Sequence, residues 1–515
     1  MSQFSDPLNV LGITLGTALS LHFLVRYAFR PSGPPLPPSP RSYPLIGHLL
    51  SMPRNNEHLG FTELGKKLKT NLFSLTVLGK TMVVLNSKED AINLLQNKSG
   101  IYSDRPSFPM VTEPSLMDAG AVTSALPYND HWRKSRRLMH PWLHKQAVES
   151  FHDSQQHGAR LLIQRLMSCN HNSSESVYHE VFTALSSTLL RSIYGYQIHG
   201  ADDPLLKEAS QFGQNLSSAA MPTNFLVNVF PILRHVPTWF PGAGWKRVAH
   251  QWRKQKEDTM AALFNATKEE VASGNYYPSI IASSLADPTI LGVSQEKMDK
   301  YLSNIGITLH VGGAETTSNV ILIFLIAMML YPETQRKAQS EIDRVTGGTR
   351  LPEVEDRQHV PYTNRLIQEI LRWCPIVPLG IPHATSQDDL YQGFGIPKGT
   401  IIIGNIWAMS RDEKVYSNPH IFDPDRFLDP SVPPLPVFGF GRRECPGNHF
   451  AHSSVFIIIA SLLATFNVTM PKDANGNEVV PVLAAKNSII SHPDEFQVKL
   501  EPRSDNRIHS IQTEV

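Results

Sequence analysis

The chain has 515 residues, of which 41% are hydrophobic and 18% are charged; this composition is typical of a packed globular protein and excludes a disordered one. The formal net charge is +1, so no overall field attracts nucleic acid, and an electrostatic partner needs a local charged patch. The three cysteines, Cys169, Cys374 and Cys445, are too sparse for a disulfide framework and lack metal-site spacing.

Residues 1–30 form the first predicted element, a transmembrane anchor. Residues 8–29 read LNVLGITLGTALSLHFLVRYAF, about the length that crosses a hydrocarbon core of roughly 30 Å. Arg26 and Arg30 stand at the end of the run, whereas no Lys or Arg precedes it, so the positive-inside rule places the following chain in the cytosol. The alternative is a buried helix of the globular domain. A cytosolic location also predicts that the N-glycosylation sequons stay unmodified; they lie at Asn97, Asn172, Asn215, Asn265 and Asn467.

Residues 31–44 read PSGPPLPPSPRSYP and are interpreted as a proline-rich hinge. Proline fixes φ and removes a backbone donor, so this stretch forms neither helix nor central strand. Directly after an anchor it is expected to act as a stiff spacer, with an ordinary linker as the alternative. Residues 45–500 follow as one catalytic domain without a second linker, and residues 501–515 as a polar tail.

Helical patterns dominate residues 45–500, and strand patterns are few. Residues 72–85 predict a hairpin that turns at Gly79-Lys80, and residues 401–403 predict a short apolar strand. The expected fold class is therefore mainly α with small β-sheets.

A long helix is predicted from about Lys300 to Leu330, where Pro332 prevents its continuation. Its second half, residues 320–330, is apolar on every face. Eleven residues are too few to span a bilayer, so this helix is expected to thread the centre of the domain.

The sharpest local feature is a glycine-rich loop around Cys445, within FGFGRRECPGNHFA at residues 438–451. Glycine permits positive φ and close backbone approach, so the loop can direct amide groups towards the Cys445 sulfur while a flat cofactor lies against it. An apolar helix follows at residues 455–464, and its positive end favours thiolate over thiol. A structural loop with a buried cysteine is the alternative reading of these residues alone.

The loop resembles the heme-binding signature FxxGxRxCxG of the cytochrome P450 family, and other motifs of that family occur in the same order. The signature is carried by Phe438, Gly441, Arg443, Cys445 and Gly447. The other matches are WxxxR at Trp132 and Arg136, GGAETT at residues 312–317, ExxR at Glu369 and Arg372, and PDRF with Arg426. The anchor and hinge resemble those of membrane-bound eukaryotic members, and HVPTWFPG at residues 235–242 is similar to fungal ones.

The resemblance implies the cytochrome P450 fold, with heme b (iron protoporphyrin IX) between the long central helix and the cysteine loop. Cys445 is then the axial metal ligand, and its thiolate promotes O–O cleavage. Phe438 is expected to pack beside the sulfur, with a generic core aromatic as the alternative. Gly441 and Gly447 allow the loop to approach the cofactor.

Heme carries two propionates, which require donors and positive charge. The resemblance and the chemistry of these side chains assign this role to Trp132, Arg136, Arg443 and His383. A surface histidine is the alternative for His383. Glu369, Arg372 and Arg426 are expected to form a structural ion-pair network that fixes the segment before the cysteine loop.

Gly312 and Gly313 interrupt a helix in which each glycine costs about 1 kcal/mol relative to alanine. A helix that passes over the heme explains this cost, because the missing side chains leave room for dioxygen. Gly313 is therefore assigned to the cofactor site, and Glu315 and Thr316 to a catalytic proton relay. An exposed Glu-Thr pair is the alternative. Gly312 stands where the family more often has alanine.

No flavin or nucleotide motif occurs in the chain, so electrons must come from a partner, which the resemblance identifies as NADPH-cytochrome P450 reductase. A basic run at residues 133–137, with Lys145 and Arg442, is expected to form its docking face. A solvated helix face is the alternative.

The expected substrate is a lipophilic small molecule, because the segments predicted to bound the pocket, residues 107–117, 309–313 and 376–381, are largely apolar. His310 either orients the substrate or faces solvent. By resemblance the enzyme tailors fungal secondary metabolites, such as terpenoids or polyketides, at the endoplasmic reticulum membrane with a single pass and a cytosolic domain.

Two rival functions remain open from the sequence. A peroxide-driven or non-oxidative enzyme (an isomerase or dehydratase) on the same scaffold differs in not requiring NADPH and reductase. A heme-binding sensor or carrier differs in showing no turnover. Residues Glu315 and Thr316 favour the monooxygenase.

Overall fold

The computed structural model describes residues 33–168, 173–200, 202–221, 224–287, 293–483 and 489–503. Within these ranges the chain is mainly helical with small β-sheets, as predicted. The predicted anchor at residues 1–30, Cys169 and the sequon at Asn172 lie outside the described residues.

The helices of eight or more residues carry most of the described fold. They are α1 (Glu57–Leu68), α2 (Asp130–Leu143), α3 (His152–Ser168), α4 (Ser174–Tyr194), α5 (Pro204–Ala220), α6 (Gly244–Ser273), α7 (Gln295–Leu330), α8 (Pro332–Thr346), α9 (Pro361–Trp373) and α10 (Asn448–Thr465). Shorter α-helices are Lys88–Ala91, Ser99–Tyr102, Pro109–Thr112, Leu226–Val229, Ile280–Ala286 and Ile406–Met409, and a π-helix spans Ile92–Asn97. Short 3-10 helices are Leu49–Ser51, Ala147–Phe151, Pro231–His235, Val354–His359, Pro424–Leu428 and Gly441–Arg443.

The strands form one four-stranded sheet and two pairs. They are β1 (Leu72–Val77), β2 (Lys80–Leu85), β3 (His383–Ala384), β4 (Asp389–Tyr391), β5 (Phe394–Ile396), β6 (Ile401–Gly404), β7 (Phe466–Thr469) and β8 (Lys499–Pro502). The larger sheet has the order β1-β2-β6-β3, in which β2 and β6 are parallel and the other neighbours antiparallel. The predicted hairpin is confirmed as β1 and β2, and the predicted apolar strand as β6.

Helix α7 threads the centre of the domain, as its apolar second half predicts. Residues 320–329 are all buried and share one core with the apolar residues of α10. By length and composition both helices could cross a bilayer, yet 78% and 72% of their most apolar stretches are buried inside the protein. They therefore form its core.

Residues 35–40 of the predicted proline-rich hinge are hydrogen-bonded to the domain. Ser74 of β1 donates hydrogen bonds to the carbonyl groups of Pro37 and Pro38, at 2.7 and 2.8 Å. The amide of Gly395 in β5 donates to the Pro35 carbonyl at 2.8 Å. The carbonyl groups of these prolines thus accept hydrogen bonds from strand residues. The proline content of the segment does not predict this attachment.

At the other end, the polar tail expected from residue 501 begins later. Strand β8 continues to Pro502, and Arg503 forms a salt bridge of 2.7 Å with Asp343 of α8. Residues 504–515 lie outside the described residues.

Candidate active site

The loop around Cys445 has a backbone that requires glycine at two positions. Gly439 has φ +86° and Gly441 has φ +52°, in the left-handed region that other residues avoid. A Cβ at Gly441 would lie 2.7 Å from the Leu95 carbonyl oxygen, so the loop approaches the Ile92–Asn97 turn closely. The Cys445 amide donates to the Phe438 carbonyl at 2.8 Å, which closes the loop.

Cys445 combines a deep position with an accessible side chain. Burial raises the pKa of its thiol above the usual value, although the Gly447 N–H and the Arg136 charge act in the opposite direction. The Gly447 N–H, at the start of α10, acts in the expected direction by favouring the thiolate, whereas desolvation favours the thiol. A metal cation deprotonates a coordinating thiol outright.

Arg443, two residues before Cys445, lies buried against the ring of Trp132, with its Cζ atom 4.6 Å from the ring centre. Its Nε donates to the Ser103 carbonyl at 2.7 Å, and its Nη2 donates to the Leu126 carbonyl at 2.8 Å. Its Nη1 is buried without a hydrogen-bond partner among the described residues. Such an unsatisfied charged donor is costly unless an anion meets it.

Arg105 belongs to the same region, although the sequence analysis does not single it out. Its Nη1 donates to the carbonyl groups of Ile381 and Pro382, at 2.8 and 2.7 Å, and its Nε donates to the Ser124 carbonyl at 3.0 Å. These bonds hold a second guanidinium group near Arg443, whose positive charge, after burial, lowers the pKa of Arg105.

Arg136 completes what we name the cationic cluster, Arg105, Arg136 and Arg443. Its Cζ atom lies 5.8 Å from the Trp132 ring centre, and its Nη1 donates to the Glu444 carbonyl at 2.9 Å. The structure thus brings together Trp132, Arg136 and Arg443, as the sequence predicts.

His383 contacts this region from strand β3. Its Nδ1 lies 2.7 Å from the Tyr102 carbonyl, to which it donates. Burial, and then the charge of Arg105, lowers its pKa to about 3. His383 is therefore neutral and buried, and it is not the surface histidine of the alternative.

The electrostatics of the cationic cluster are unbalanced within the described part of the chain. Burial lowers the pKa of Arg105 to about 9 and that of Arg443 to about 10, with Asp104 acting in the opposite direction. Asp104 uses one carboxylate oxygen for the amides of Arg105 and Tyr128. Three guanidinium groups thus face two nearby carboxylates, Asp104 beside Arg105 and Arg443 and Glu444 beside Arg136, so the site is suited to an anionic ligand.

Helix α7 carries the predicted relay motif at its middle. The Thr316 hydroxyl donates to the Gly312 carbonyl at 2.7 Å. A Cβ at Gly312 would meet no atom within 4 Å, whereas one at Gly313 would lie 2.9 Å from the Leu189 side chain of α4. Gly312 thus borders open space, as expected if its missing side chain leaves room for dioxygen, whereas the missing side chain of Gly313 leaves room for Leu189.

Glu315 and His310 lie where α7 packs against α4 and α5. Both line a small pocket with Tyr178 and Phe182 of α4. Burial raises the pKa of the Glu315 carboxyl above its usual value. His310 is 1% exposed, so the alternative that it faces solvent is wrong.

Glu369, Arg372 and Arg426 lie together in the core. Arg372 Nη2 and Nε each lie 2.7 Å from one Glu369 oxygen. Arg426 Nε lies 3.1 Å from the same carboxylate. The network joins α9 to the turn Pro424–Leu428, which precedes the cysteine loop.

Two members of the predicted basic face, Arg133 and Arg442, meet at Tyr128. The Cζ atoms of Arg133 and Arg442 lie 4.9 and 5.4 Å from the Tyr128 ring centre, and Arg442 also donates to its hydroxyl group. Burial would raise the pKa of Tyr128, but the hydrogen bonds from Arg133 and Arg442 lower it. Residues that are far apart in sequence thus form one positive surface beside the Cys445 loop.

The apolar segment at residues 107–117, which is predicted to bound the substrate pocket, packs against the long helix. Met110 and Met117 are buried in one cluster with Phe212 of α5 and Ile307 of α7. Ile376, in contrast, lies in the main core, so the first residue of the predicted segment 376–381 is a packing residue.

A family model for cytochrome P450 matches residues 37–500. Cytochrome P450 monooxygenase 208 of Postia placenta is 36% identical over 498 residues, covering 95% of this chain and 94% of the relative. Cytochrome P450 monooxygenase COX1 of Coprinopsis cinerea is 34% identical, covering 93% and 94%. A cytochrome P450 monooxygenase of Armillaria gallica is 32% identical, covering 97% and 98%.

The chain belongs to the cytochrome P450 family. It is a fungal-type P450 monooxygenase, an oxidoreductase whose cofactor is heme b. The residues present fit that cofactor. Heme b carries two carboxylates, and the cationic cluster supplies buried positive charge with an unsatisfied donor at Arg443 Nη1.

Proposed function

We propose that this P450 inserts one oxygen atom of O2 into a lipophilic small molecule, in terpenoid or polyketide tailoring of fungal secondary metabolism. Electrons come from NADPH through NADPH-cytochrome P450 reductase. The observation that carries the proposal is the accessible Cys445 thiol in a glycine-rich loop beside a buried cationic cluster. The fungal relatives support the setting.

When bound, the heme iron supplies the activation of dioxygen. Cys445 holds the metal as its thiolate, and the Gly447 N–H stabilises the sulfur charge by donating to it. Arg443 and Arg105 hold the propionates, with Trp132, Arg136 and His383 beside them. Because backbone carbonyl groups already fix both guanidinium groups, little side-chain order is lost on cofactor binding.

Proton supply is assigned to Thr316 and Glu315. The Thr316 hydroxyl is held against the Gly312 carbonyl, beside the open space at Gly312. The raised pKa of Glu315 keeps a larger fraction of its carboxyl protonated near neutral pH, which suits a proton donor.

Electron delivery is assigned to the basic face around Tyr128. Arg133 and Arg442 present positive charge beside the loop that holds Cys445. An acidic reductase domain would meet this face by charge complementarity. Reduction rates should therefore fall as ionic strength rises.

Membrane association is supported by an apolar face, which we define as Leu45, Leu50, Ile232, Trp239 and Phe240. These side chains are 56%, 68%, 71%, 78% and 52% exposed. Their two segments flank one end of the β1–β2 hairpin, since Gly47 pairs with Val77 and Lys80 donates to the Asn228 carbonyl. Apolar patches of this kind mark interaction sites.

The proposed membrane association is tested by fluorescence quenching of the full-length protein in vesicles with brominated acyl chains. Trp239→Phe should remove most of the quenched emission. Trp252→Phe, which alters a half-buried ring packed on Phe225, should leave quenching unchanged. Equal quenching in wild type and Trp239→Phe would contradict contact at this face.

The proposed oxygen insertion is tested by turnover of a panel of terpenoids and polyketides. NADPH with reductase should support product formation that incorporates ¹⁸O from labelled dioxygen. Product with peroxide alone would favour the peroxide-driven alternative. Product without ¹⁸O would favour an isomerase or dehydratase, and heme binding without product would favour a sensor or carrier.

A further inference from the structure

His310 is a buried polar side chain without a partner. It is 1% exposed, and neither ring nitrogen has a hydrogen-bond partner among the described residues. A neutral imidazole has one donor and one acceptor nitrogen, and buried polar groups of native proteins are normally paired with protein or with ordered water. Burial lowers its pKa to about 4, so the ring is neutral at physiological pH.

The surroundings of His310 offer a site for water. The pocket lies between α4, α5 and α7, and Glu315 lines it on the same helix as His310. Tyr178, Ser210 and Gln214 contribute further polar groups to its wall. About 10 Å³ is accessible to the centre of a water molecule, close to the roughly 10–15 Å³ that one water needs.

We propose that His310 and Glu315 bind one water molecule in this pocket, and that His310 positions this water to reprotonate Glu315. The inference rests on the proposed function, in which Glu315 supplies protons towards Thr316. It adds His310 as a positioning residue two positions outside the GGAETT motif.

The proton transfers balance as follows. The Glu315 carboxyl gives one proton towards the Thr316 hydroxyl and becomes a carboxylate. The pocket water then relays one proton to that carboxylate: it takes a proton from solvent, to which the pocket is partly open, as it gives one to Glu315, so that no free hydroxide is formed. His310 accepts from or donates to the water throughout and ends each cycle neutral.

Other titratable groups face this pocket from the packed elements. From α4, Tyr178 lies near enough to Glu315 for the carboxylate charge to raise the phenol pKa, after burial, and Glu175 adds to the effect. The His492 ring contacts Tyr178 edge-on at 4.9 Å, and its Nδ1 lies 2.7 Å from Asn319 Oδ1. From α5, Ser210 and Gln214 are uncharged.

The test compares His310→Phe, His310→Gln, Glu315→Gln and the double variant His310→Phe/Glu315→Gln, all as full-length holoprotein. Phenylalanine fills the volume of the imidazole without polar atoms, whereas glutamine retains a donor and an acceptor. We expect His310→Phe to slow NADPH-driven turnover roughly tenfold, less than the 10²–10⁴ typical of direct acid–base groups. His310→Phe should also raise the solvent isotope effect. His310→Gln should return the turnover rate and the isotope effect most of the way to their wild-type values.

Glu315→Gln should remove the effect of His310→Phe on the isotope effect, because both residues act through one water. A second readout does not depend on activity. The free energies of unfolding of the single and double variants should be non-additive if the two residues share a bound water, and additive if they do not.

The outcomes separate this inference from the proposed function. Wild-type isotope effect and turnover in His310→Phe, with additive unfolding energies, would overturn the role of His310. The proposed relay predicts that Thr316→Ala diverts electrons to hydrogen peroxide; if it does so in that case, the proposed function stands without the role of His310. If neither Thr316→Ala nor Glu315→Gln alters coupling, the relay itself is wrong, whatever His310 does.

Discussion

Arg426 contacts both carboxylate oxygens of Glu369, at 3.1 and 3.2 Å, although the two residues lie 57 positions apart. Arg372 pairs with the same carboxylate from one helical turn away. The side chains of Glu369 and Arg372 are 0% exposed and that of Arg426 is 3% exposed. One buried carboxylate thus pairs with two guanidinium groups and joins α9 to the turn before the cysteine loop.

Glu369→Gln should destabilise the protein strongly. Both arginines would keep their charge in the core without a carboxylate, and breaking a buried pair in this way costs about 3–5 kcal/mol. Urea unfolding measures the loss. The matched control is Glu296→Gln, which breaks an exposed pair with Lys300 and should change stability by about 1 kcal/mol or less. Equal losses in the two variants would show that the buried network is not what holds this region.

Gly441→Ala should disturb the cysteine loop. Its φ of +52° strains any side chain, and the new Cβ would lie 2.7 Å from the Leu95 carbonyl and 3.0 Å from Gln96 Cα. The left-handed conformation alone costs about 1–2 kcal/mol, and the contact adds to it. Gly476→Ala is the control, because Gly476 also has positive φ but no atom within 4 Å of the added Cβ. The midpoint temperature of thermal unfolding and the heme content should fall more for Gly441→Ala than for Gly476→Ala. A larger effect of Gly476→Ala would contradict the close approach of the loop to Leu95.

Arg105→Gln should weaken heme retention. A charged hydrogen bond contributes about 1.5–3 kcal/mol, so transfer of heme to apomyoglobin should accelerate roughly 10- to 100-fold. Arg133→Gln removes an exposed guanidinium group paired with Asp130 and should leave the transfer rate unchanged. A wild-type rate for Arg105→Gln would mean that Arg105 does not hold a propionate.

The stability of the protein should fall between pH 6.5 and pH 4, and His58 should contribute. Burial, followed by the charge of Arg411, lowers the pKa of His58 to about 4 from an ordinary value of 6.5. The unfolded chain therefore binds a proton that the folded protein resists, and stability present above pH 6.5 is lost as the pH falls towards 4.

His58→Phe checks this sign. Phenylalanine can retain the edge contact with Trp407, at 4.9 Å between ring centres, but it cannot bind the proton. The free energy of unfolding, measured by urea titration at several pH values, should fall less steeply with acid in the variant. An unchanged slope would show that His58 does not titrate between the two states.

The sequence predicts helix α7 and its buried second half because residues 320–330 are apolar on every face and Pro332 cannot continue a helix. It does not predict the start at Gln295, since Met298 is the single apolar residue of residues 295–299 and one residue sets no helical period. Gly312 and Gly313 are the same residue type. Which of them contacts Leu189 depends on how α7 is rotated against α4, which the sequence does not specify.

Arg105 shows a different limit of sequence reasoning. Its partners are the carbonyl groups of Ser124, Ile381 and Pro382, which every residue type has. No pattern of side chains in the sequence therefore predicts where Arg105 binds. Glu369 and Arg372, in contrast, are one turn apart on a helix, and such ion pairs leave a readable spacing.

The central claim is the bond between the Cys445 sulfur and the heme iron. The most direct measurement is the absorption spectrum of the reduced, carbon monoxide-bound protein for wild type, Cys445→Ala and Cys374→Ala. Cys374 is the matched control, because its buried thiol lies in the main core. We predict the red-shifted Soret band of a thiolate-ligated heme in wild type and Cys374→Ala and its loss in Cys445→Ala. The same red-shifted band in Cys445→Ala would contradict the account.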